Sequence, residues 1–196
     1  MTNLIDLRET RAAIPGDLSG LQGYLAQLVG EPFRFARVSY GDELTLHFGD
    51  LRPAMSPKLK GKFYGAYVFG SRGSPWIVKS GSQSLVLTGD LDGHAGEPVR
   101  KEDLEANPLV APDARVLAAT AFVVKPANAL GVEVRFSDGS TLRILPTLTE
   151  ADDPADAALP ALADWELASP AGLLSAGPGL TWSFAASARS DEQAAG

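Results

Sequence analysis

The stretch VEVRFSDGSTLRIL, residues 132–145, decides the fold class of this chain. Its two arms, VEVRF and TLRIL, each alternate apolar with polar or charged residues. Alternation with a period of two is typical of strands that bury one face. The dipeptide Asp138-Gly139 between the arms is a strong signal for a tight hairpin turn. The stretch therefore predicts an antiparallel β-hairpin.

The same kind of pattern continues on both sides of this hairpin. Short apolar or alternating runs predict further strands at 33–38, 44–48, 63–69, 76–78, 85–87, 116–124 and within 165–184. The segment 49–61 contains Pro53 and Pro57 and predicts a loop. A chain of many short strands separated by glycine and proline is typical of a mainly β fold, either a sandwich or a partly open barrel.

One helix precedes the strands. Apolar residues recur at three- and four-residue spacing from Leu18 to Leu28, which gives a single apolar stripe. Ser19 is a candidate N-cap, and Gly30 followed by Pro32 ends the pattern. We expect this N-terminal α-helix to dock its stripe on a sheet.

The two halves of the chain share an order of features. A hairpin is followed by a tryptophan strand, WIVKS from Trp76 in the first half and WELAS from Trp165 in the second. Matching hairpin 33–48 with hairpin 132–145 predicts repeat halves 31–98 and 115–185 within a single β-rich domain, 1–185, followed by a flexible tail, 186–196. Chance recurrence of short strand patterns stays open as the alternative. The acidic segment 149–159 is expected to be a mobile surface connection.

Composition limits the partners. The chain has 196 residues, no cysteine and a net charge of −7, so disulfides and thiolate metal sites are excluded. A globally acidic chain repels phosphate backbones, which makes nucleic acid an unlikely partner. The N-terminal residues carry charges where a signal peptide needs an apolar core, and no apolar run has the length of a membrane span. We therefore expect a cytoplasmic protein without a membrane partner; its oligomeric state is open.

Catalytic signals are weak. His47 follows alternation onto the polar face of its strand, which predicts a solvent-facing histidine; the alternative is a base or metal ligand beside Glu43 or Asp50. His94 lies in a glycine-rich acidic turn that lacks the full spacing of a calcium loop. We assign no catalytic, metal-binding or cofactor-binding residue. The chain is more consistent with a non-enzyme, although an enzyme of a type without such motifs stays open.

Positive charge is concentrated in one part of this acidic chain. Arg52, Lys58, Lys60, Lys62 and Arg72 lie close in sequence, and Tyr64 and Tyr67 lie nearby. If residues 58–62 are extended, the three lysines form a row on one side. The functional interpretation is a docking patch for a partner. The alternative is that the lysines protect an exposed edge strand from pairing.

A resemblance adds to this interpretation. The residues Gly30-Glu31-Pro32-Phe33, the pattern Gly41…Leu44-x-Leu46-x-Phe48, the strands at Trp76 and Trp165, and Gly177-Pro178-Gly179 with Trp182 carry it. In these the chain resembles a group of uncharacterised bacterial β-rich proteins and is similar to small immunity-type proteins encoded beside bacterial toxins. The resemblance implies no catalytic residue.

The expected function is therefore binding. We expect a non-enzymatic bacterial protein that binds another protein, as a toxin-neutralising or defence-related component. The alternative is a β-sandwich or barrel module that binds a small ligand or carbohydrate. Such a module is expected to have a deep apolar pocket lined by Trp76, Trp165 or Trp182.

Overall fold

The computed structural model describes residues 10–12, 18–39, 43–54, 58, 60–72, 74–80, 83–87, 110–125, 127–146 and 163–187, with the backbone alone for 10–12 and 83–87. Three sequence-based expectations fall outside these residues. They concern His94 with its glycine-rich turn, the acidic segment 149–159, and the tail beyond residue 187.

The described residues form twelve strands and one short helix. The helix α1 (Leu18–Leu25) continues into a 3-10 turn (Ala26–Leu28), so Ser19 lies inside the helix and is not its N-cap. The strands are β1 (Thr10–Ala12), β2 (Phe33–Val38), β3 (Leu44–Pro53), β4 (Phe63–Gly70), β5 (Trp76–Ser80), β6 (Gln83–Leu87), β7 (Val116–Val124), β8 (Ala129–Phe136), β9 (Thr141–Ile144), β10 (Trp165–Ser169), β11 (Gly172–Ala176) and β12 (Trp182–Ala186).

Two antiparallel sheets contain all of these strands. The larger has the order β1-β12-β11-β10-β4-β3-β2, and the smaller has the order β6-β5-β9-β8-β7. Alternate residues of both sheets and the apolar stripe of α1 belong to one buried core, whose largest fully buried side chains are Trp76, Trp165, Phe33, Phe48, Phe69 and Phe136. The prediction of a mainly β fold, a sandwich or a partly open barrel with one N-terminal helix, is thus confirmed, and the two sheets give it the sandwich form.

Two strands differ from their predictions. The segment 10–12, for which the sequence pattern predicted no strand, is a strand at the edge of the larger sheet. The loop prediction for 49–61 is wrong at its start, because β3 continues through a bulge as far as Pro53. The proline is compatible with the strand because, among the described residues, no third strand is hydrogen-bonded to β3 at that point.

The helix covers the open edge of β7. The side-chain amide of Gln22 donates to the carbonyl of Ala119 and accepts from the N–H of Ala121. It thereby satisfies edge groups that would otherwise be available for pairing with another strand. Leu21, Leu25 and Leu28 are fully buried on the side of the helix that faces the core.

The sheets repeat one arrangement twice. In the larger sheet β2, β3 and β4 form a meander, after which the chain crosses to the β5–β6 hairpin of the smaller sheet. In the smaller sheet β7, β8 and β9 form a meander, after which the chain crosses to the β10–β11 hairpin of the larger sheet. The halves also join equivalently, since β4 pairs with β10 and β9 pairs with β5.

The register gives this repeat the geometry of an approximate twofold axis. Pro32 and Arg115, which occupy equivalent positions, form a bridge with each other. Phe33 donates its N–H to Ala114 at 2.8 Å, and its equivalent Val116 donates to Glu31 at 3.0 Å. Each of the two edge strands is irregular just after Phe33 or Val116. An axis through the Pro32–Arg115 bridge relates the two halves.

The repeat differs from its sequence-based version in one respect. Trp76 and Trp165 are equivalent and fully buried, as predicted. The hairpin 33–48, however, corresponds to β7–β8 and not to 132–145, because both hairpins lie beside the axis and carry the same irregularity. Descent of the halves from a duplicated segment stays a prediction.

Candidate docking surface

A hairpin arm projects from the larger sheet. Strand β2 pairs with β3 only as far as Phe48, and β10 pairs with β4 only from Val68 onward. Beyond these limits β3 and β4 pair with each other alone, through Leu51–Gly65 and Pro53–Phe63. We call residues 51–54 and 60–65 the arm. In the described part of the chain no other strand is hydrogen-bonded to it.

A bulge at the base sets the direction of the arm. Gly49 and Asp50 lie opposite a single residue of β4, and Gly49 has a φ of +74°. Gly65 permits the close approach of the strands, because a Cβ at this position would lie 2.4 Å from the carbonyl oxygen of Phe48. An extra residue on one strand increases the local twist and bends the hairpin.

The arm has one apolar face. Leu51 and Phe63 are 46% and 48% exposed, and alternation places both on the same side of the hairpin. Leu51 lies opposite Gly65, so no side chain across from it covers it. Two exposed apolar side chains on the same face of a projecting element form a candidate interaction surface.

The other face of the arm is basic. Arg52 and Tyr64 are directly opposite each other, and Lys62 follows on the same side by alternation. Lys58 and Lys60 are exposed near the tip. Residues 60 and 61 form a turn and Lys58 lies in a 3-10 segment, so the expected extended row of three lysines is not formed. Within the described residues none of these cations has an ion pair.

Arg72 belongs to a different surface. It lies beyond the opposite end of β4, roughly 30 Å along the strand from Lys62. Its guanidinium forms ion pairs with Glu43 at 3.3 Å and Glu166 at 2.8 Å. The structure therefore brings together Arg52, Tyr64 and the lysines of the predicted patch, and it separates Arg72 from them.

Beside the basic face of the arm lies a group that we call the outer-face cluster: Phe35, Arg37, His47 and Tyr64. The rings of Phe35 and His47 stack at 4.2 Å, and the ring of Tyr64 is 5.4 Å from that of His47. The guanidinium carbon of Arg37 lies over both aromatic rings, at 4.9 Å from Phe35 and 5.7 Å from Tyr64. Cation–π contacts of this kind hold the guanidinium against the sheet.

His47 is not the solvent-facing histidine that alternation predicted. It is on the outer face of the sheet, but its neighbours in the cluster leave it only 1% exposed. Its Nδ1 accepts the backbone N–H of Gly65 at 3.2 Å, so the neutral ring carries its proton on Nε2. Burial lowers the pKa of His47 to about 4, and the positive charge of Arg37 contributes to the decrease. Near neutral pH the ring is uncharged and has no carboxylate partner among the described residues.

Two members of the cluster were missed by sequence reasoning. Phe35 resembles a core residue, because it follows the buried Phe33 with the spacing of a strand face. The irregularity between these residues places them on opposite faces of β2. Arg37 then lies on the outer face with Phe35. The sequence FRFARV predicts this shared face for any register, because the two residues are two positions apart in a strand.

Comparison with protein-family models, with curated proteins and with solved structures finds no match. No helix in the described part of the chain has the length and apolar character needed to span a membrane. No group of three or more potential metal ligands occurs among the described histidine, aspartate and glutamate residues.

Proposed function

We propose that this protein acts by binding another protein and that the arm is its docking element. The observation that carries the proposal is the projection of the arm beyond its neighbouring strands with Leu51 and Phe63 exposed. A globular protein gains nothing in its own stability from side chains left in water. Burying a fully exposed side chain of this kind is worth about 1.5–3 kcal/mol, and roughly half of that remains available for Leu51 and for Phe63, because about half of each is exposed.

Charge favours an acidic partner. The cations of the arm have no ion pairs with described residues, although the chain as a whole carries a net charge of −7. A local positive patch on a negative protein orients an approaching acidic surface and raises the association rate. The apolar face then contributes affinity, while the basic face contributes orientation.

The tryptophans argue against the small-ligand alternative. Trp76 and Trp165 are completely buried, and Trp182 is 9% exposed. The Nε1 of Trp165 donates to the carbonyl of Leu130 at 3.0 Å. Rings enclosed in the core cannot line a pocket for a carbohydrate or another ligand without repacking of the fold.

Within protein binding, we propose a toxin-neutralising or other defence-related role. The resemblance to immunity-type proteins favours it, and an inhibitor of this kind needs no catalytic residues of its own. An exposed hairpin that presents an aromatic residue and several cations suits insertion into an acidic cleft of a target.

Paired variants test the docking role. Leu51→Ser/Phe63→Ser removes the apolar face of the arm, while Val29→Ser/Leu117→Ser removes two equally exposed apolar side chains elsewhere, 50% and 60% exposed. A partner isolated from the source cells with the wild-type chain is purified, and its affinity for each variant is measured by calorimetry. We expect the arm variant to bind about 30-fold more weakly, or about 2 kcal/mol, and the control to bind as the wild type does. Equal affinity of the two variants would refute docking by the arm.

Salt dependence tests the role of charge. Replacing Lys58, Lys60 and Lys62 with Glu is expected to slow association more than it accelerates dissociation, and the difference from the wild type should shrink as salt is added. Stopped-flow mixing with the same partner measures both rates. If the rates match and only the variant aggregates, the lysines protect the strands from pairing and do not guide docking.

A further inference from the structure

We propose that Arg37 receives a carboxylate group of the partner protein, so that the outer-face cluster is an acid-binding subsite beside the arm. The inference deepens the proposed protein-binding function and rests on it. It assigns the partner a specific chemistry, an aspartate, a glutamate or a chain terminus that is seated on the cluster.

The first observation is the position of the guanidinium. The rings of Phe35 and Tyr64 lie beneath its carbon atom, at 4.9 and 5.7 Å. Aromatic contacts use the face of a guanidinium and leave the N–H groups at its edge available. Within the described residues Arg37 donates no hydrogen bond and forms no ion pair. The donors that suit bidentate binding of a carboxylate are therefore held in place without an acceptor among the described residues.

The second observation is that the chain supplies a carboxylate to other arginines. One of these, Arg143, also lies over an aromatic ring, that of Phe122 at 4.7 Å, and it pairs with Glu133 at 3.4 Å. The remaining pairs are Arg34 with Asp113 and Arg72 with Glu43 and Glu166. Three described arginines are thus neutralised by a carboxylate of the chain, among them Arg143, the other arginine that lies over an aromatic ring, whereas Arg37 has no such partner among the described residues.

The third observation comes from the approximate twofold repeat. Core positions are matched between the halves: Phe48 corresponds to Phe136, Leu46 to Val134, and Trp76 to Trp165. The outer-face cluster has no such counterpart, because the positions equivalent to Phe35, Arg37 and His47 hold Ala118, Thr120 and Arg135. The same fold is built in the other half without this cluster, so the fold does not require it.

The chemistry of the cluster suits a single carboxylate. Its rings displace water from one side of the guanidinium, which strengthens an ion pair relative to a fully solvated one. Arg52, directly across from Tyr64, adds a second positive charge near the same ring. The His47 ring of the cluster is uncharged at neutral pH and adds no competing positive charge. An arginine flanked by aromatic residues is also the composition found in the energetic centre of protein interfaces.

Nuclear magnetic resonance of the full chain tests the subsite without the native partner. A blocked hexapeptide of glutamate is titrated while the His47 ring and the arginine Nε–H signals are followed. The titration is repeated with two controls, a blocked hexapeptide of glutamine and, separately, inorganic phosphate. We expect saturable shifts at Arg37 and His47 with glutamate alone. We also expect the pKa of His47 to rise in the bound state, because the carboxylate offsets the charge of Arg37.

Matched variants complete the test. Arg37→Gln and Arg135→Gln change the net charge equally, and Arg135 is an exposed cation on the other sheet, also without an ion pair to a described residue. Arg37→Gln should weaken binding of the glutamate peptide about tenfold or more, the effect of losing a charge-assisted hydrogen bond, and Arg135→Gln should leave it unchanged. If Arg37→Gln does not fold, Arg37→Lys replaces it in the test. This variant keeps the positive charge but cannot bind a carboxylate in bidentate geometry, so it should also bind the glutamate peptide more weakly.

Three results would overturn the proposal: no saturable shift with the glutamate peptide, equal loss in the Arg37 and Arg135 variants, or tighter binding of phosphate. These outcomes are separable from the proposed function. If the peptide does not bind and the Leu51→Ser/Phe63→Ser variant still loses its partner, the subsite is wrong and docking by the arm stands. If the peptide binds and that variant keeps its partner, docking by the arm is wrong.

Discussion

Acidification should destabilise this protein through His47. In the native chain the pKa of this buried histidine is lowered to about 4 from an ordinary value of 6.5. The unfolded chain therefore takes up the proton at a higher pH than the native chain does, so protonation favours unfolding. The stability that the neutral His47 ring contributes is lost progressively as the pH falls from about 6.5 to about 4. Below about pH 4 no further stability is lost through this residue. A shift of roughly 2.5 pH units corresponds to about 3 kcal/mol of unfolding free energy.

The variant His47→Gln isolates this effect. Glutamine does not titrate, and its side-chain oxygen can still accept the N–H of Gly65 that the Nδ1 of His47 accepts in the wild type. Urea unfolding followed by tryptophan fluorescence gives the unfolding free energy of both proteins between about pH 7.5 and about pH 4. Carboxylates and the second histidine, His94, are common to both proteins, so their titration cancels in the difference.

We expect the difference in unfolding free energy between the wild type and the His47→Gln variant to change by about 3 kcal/mol across this range. The wild type loses more stability on acidification. The offset at neutral pH reports the packing cost of the substitution and does not bear on the test. A difference that is independent of pH would show that His47 titrates alike in the folded and unfolded chains, and would refute its burial beneath Phe35 and Tyr64.

Three further outcomes concern the fold. Truncating Trp76 or Trp165 to Ala should each cost about 3–5 kcal/mol in urea unfolding, because both rings are fully buried at equivalent places in one core; a cost near zero for either would contradict this equivalence. Gly65→Ala should be strongly destabilising, since its Cβ would lie 2.4 Å from the carbonyl oxygen of Phe48, whereas Gly139→Ala at an open turn should cost only the strain of its positive φ, and calorimetric melting compares the two. Gln22→Leu should cost about 1–3 kcal/mol and raise hydrogen exchange at Ala121; unchanged exchange would show that the amide does not protect the edge of β7.

Period-two alternation predicted most of the described fold because each strand buries one face against a single core. The hairpin at 132–145 was predicted from its turn chemistry and its pattern, and it forms as β8–β9 with Gly139 in the left-handed region at a φ of +85°. The tryptophan strands were likewise readable, because a large ring in an alternating run has few stable positions other than the core. These features depend on local pattern alone.

The candidate site could be predicted only in part. Alternation assumes regular pairing, and the irregularities after Phe33 and at Gly49 change which face a residue occupies. Phe35 therefore resembled core and His47 resembled surface, whereas the structure places Phe35 outside and buries His47. The sequence also did not indicate how far β3 and β4 pair with each other. A loop was therefore predicted where the arm forms. Grouping Arg72 with the lysines failed because closeness in sequence does not show on which end of a strand a residue lies.

The two halves separate the requirements of folding from those of binding. Each half needs a tryptophan at the start of its crossing strand and large apolar residues at matched core positions, and each has them. On the outer face the halves differ. In the second half Arg143, which lies over the ring of Phe122, is neutralised by Glu133. In the first half Arg37 lies over Phe35 and has no carboxylate partner among the described residues. The arm, which extends past the sheet, lies beside it. A feature that one half maintains and the equivalent half does without is not needed by the shared fold. Variants of the side chains Leu51, Phe63 and Arg37 should therefore change binding while leaving the free energy of folding nearly intact, whereas Gly65 and the buried His47 also support the fold.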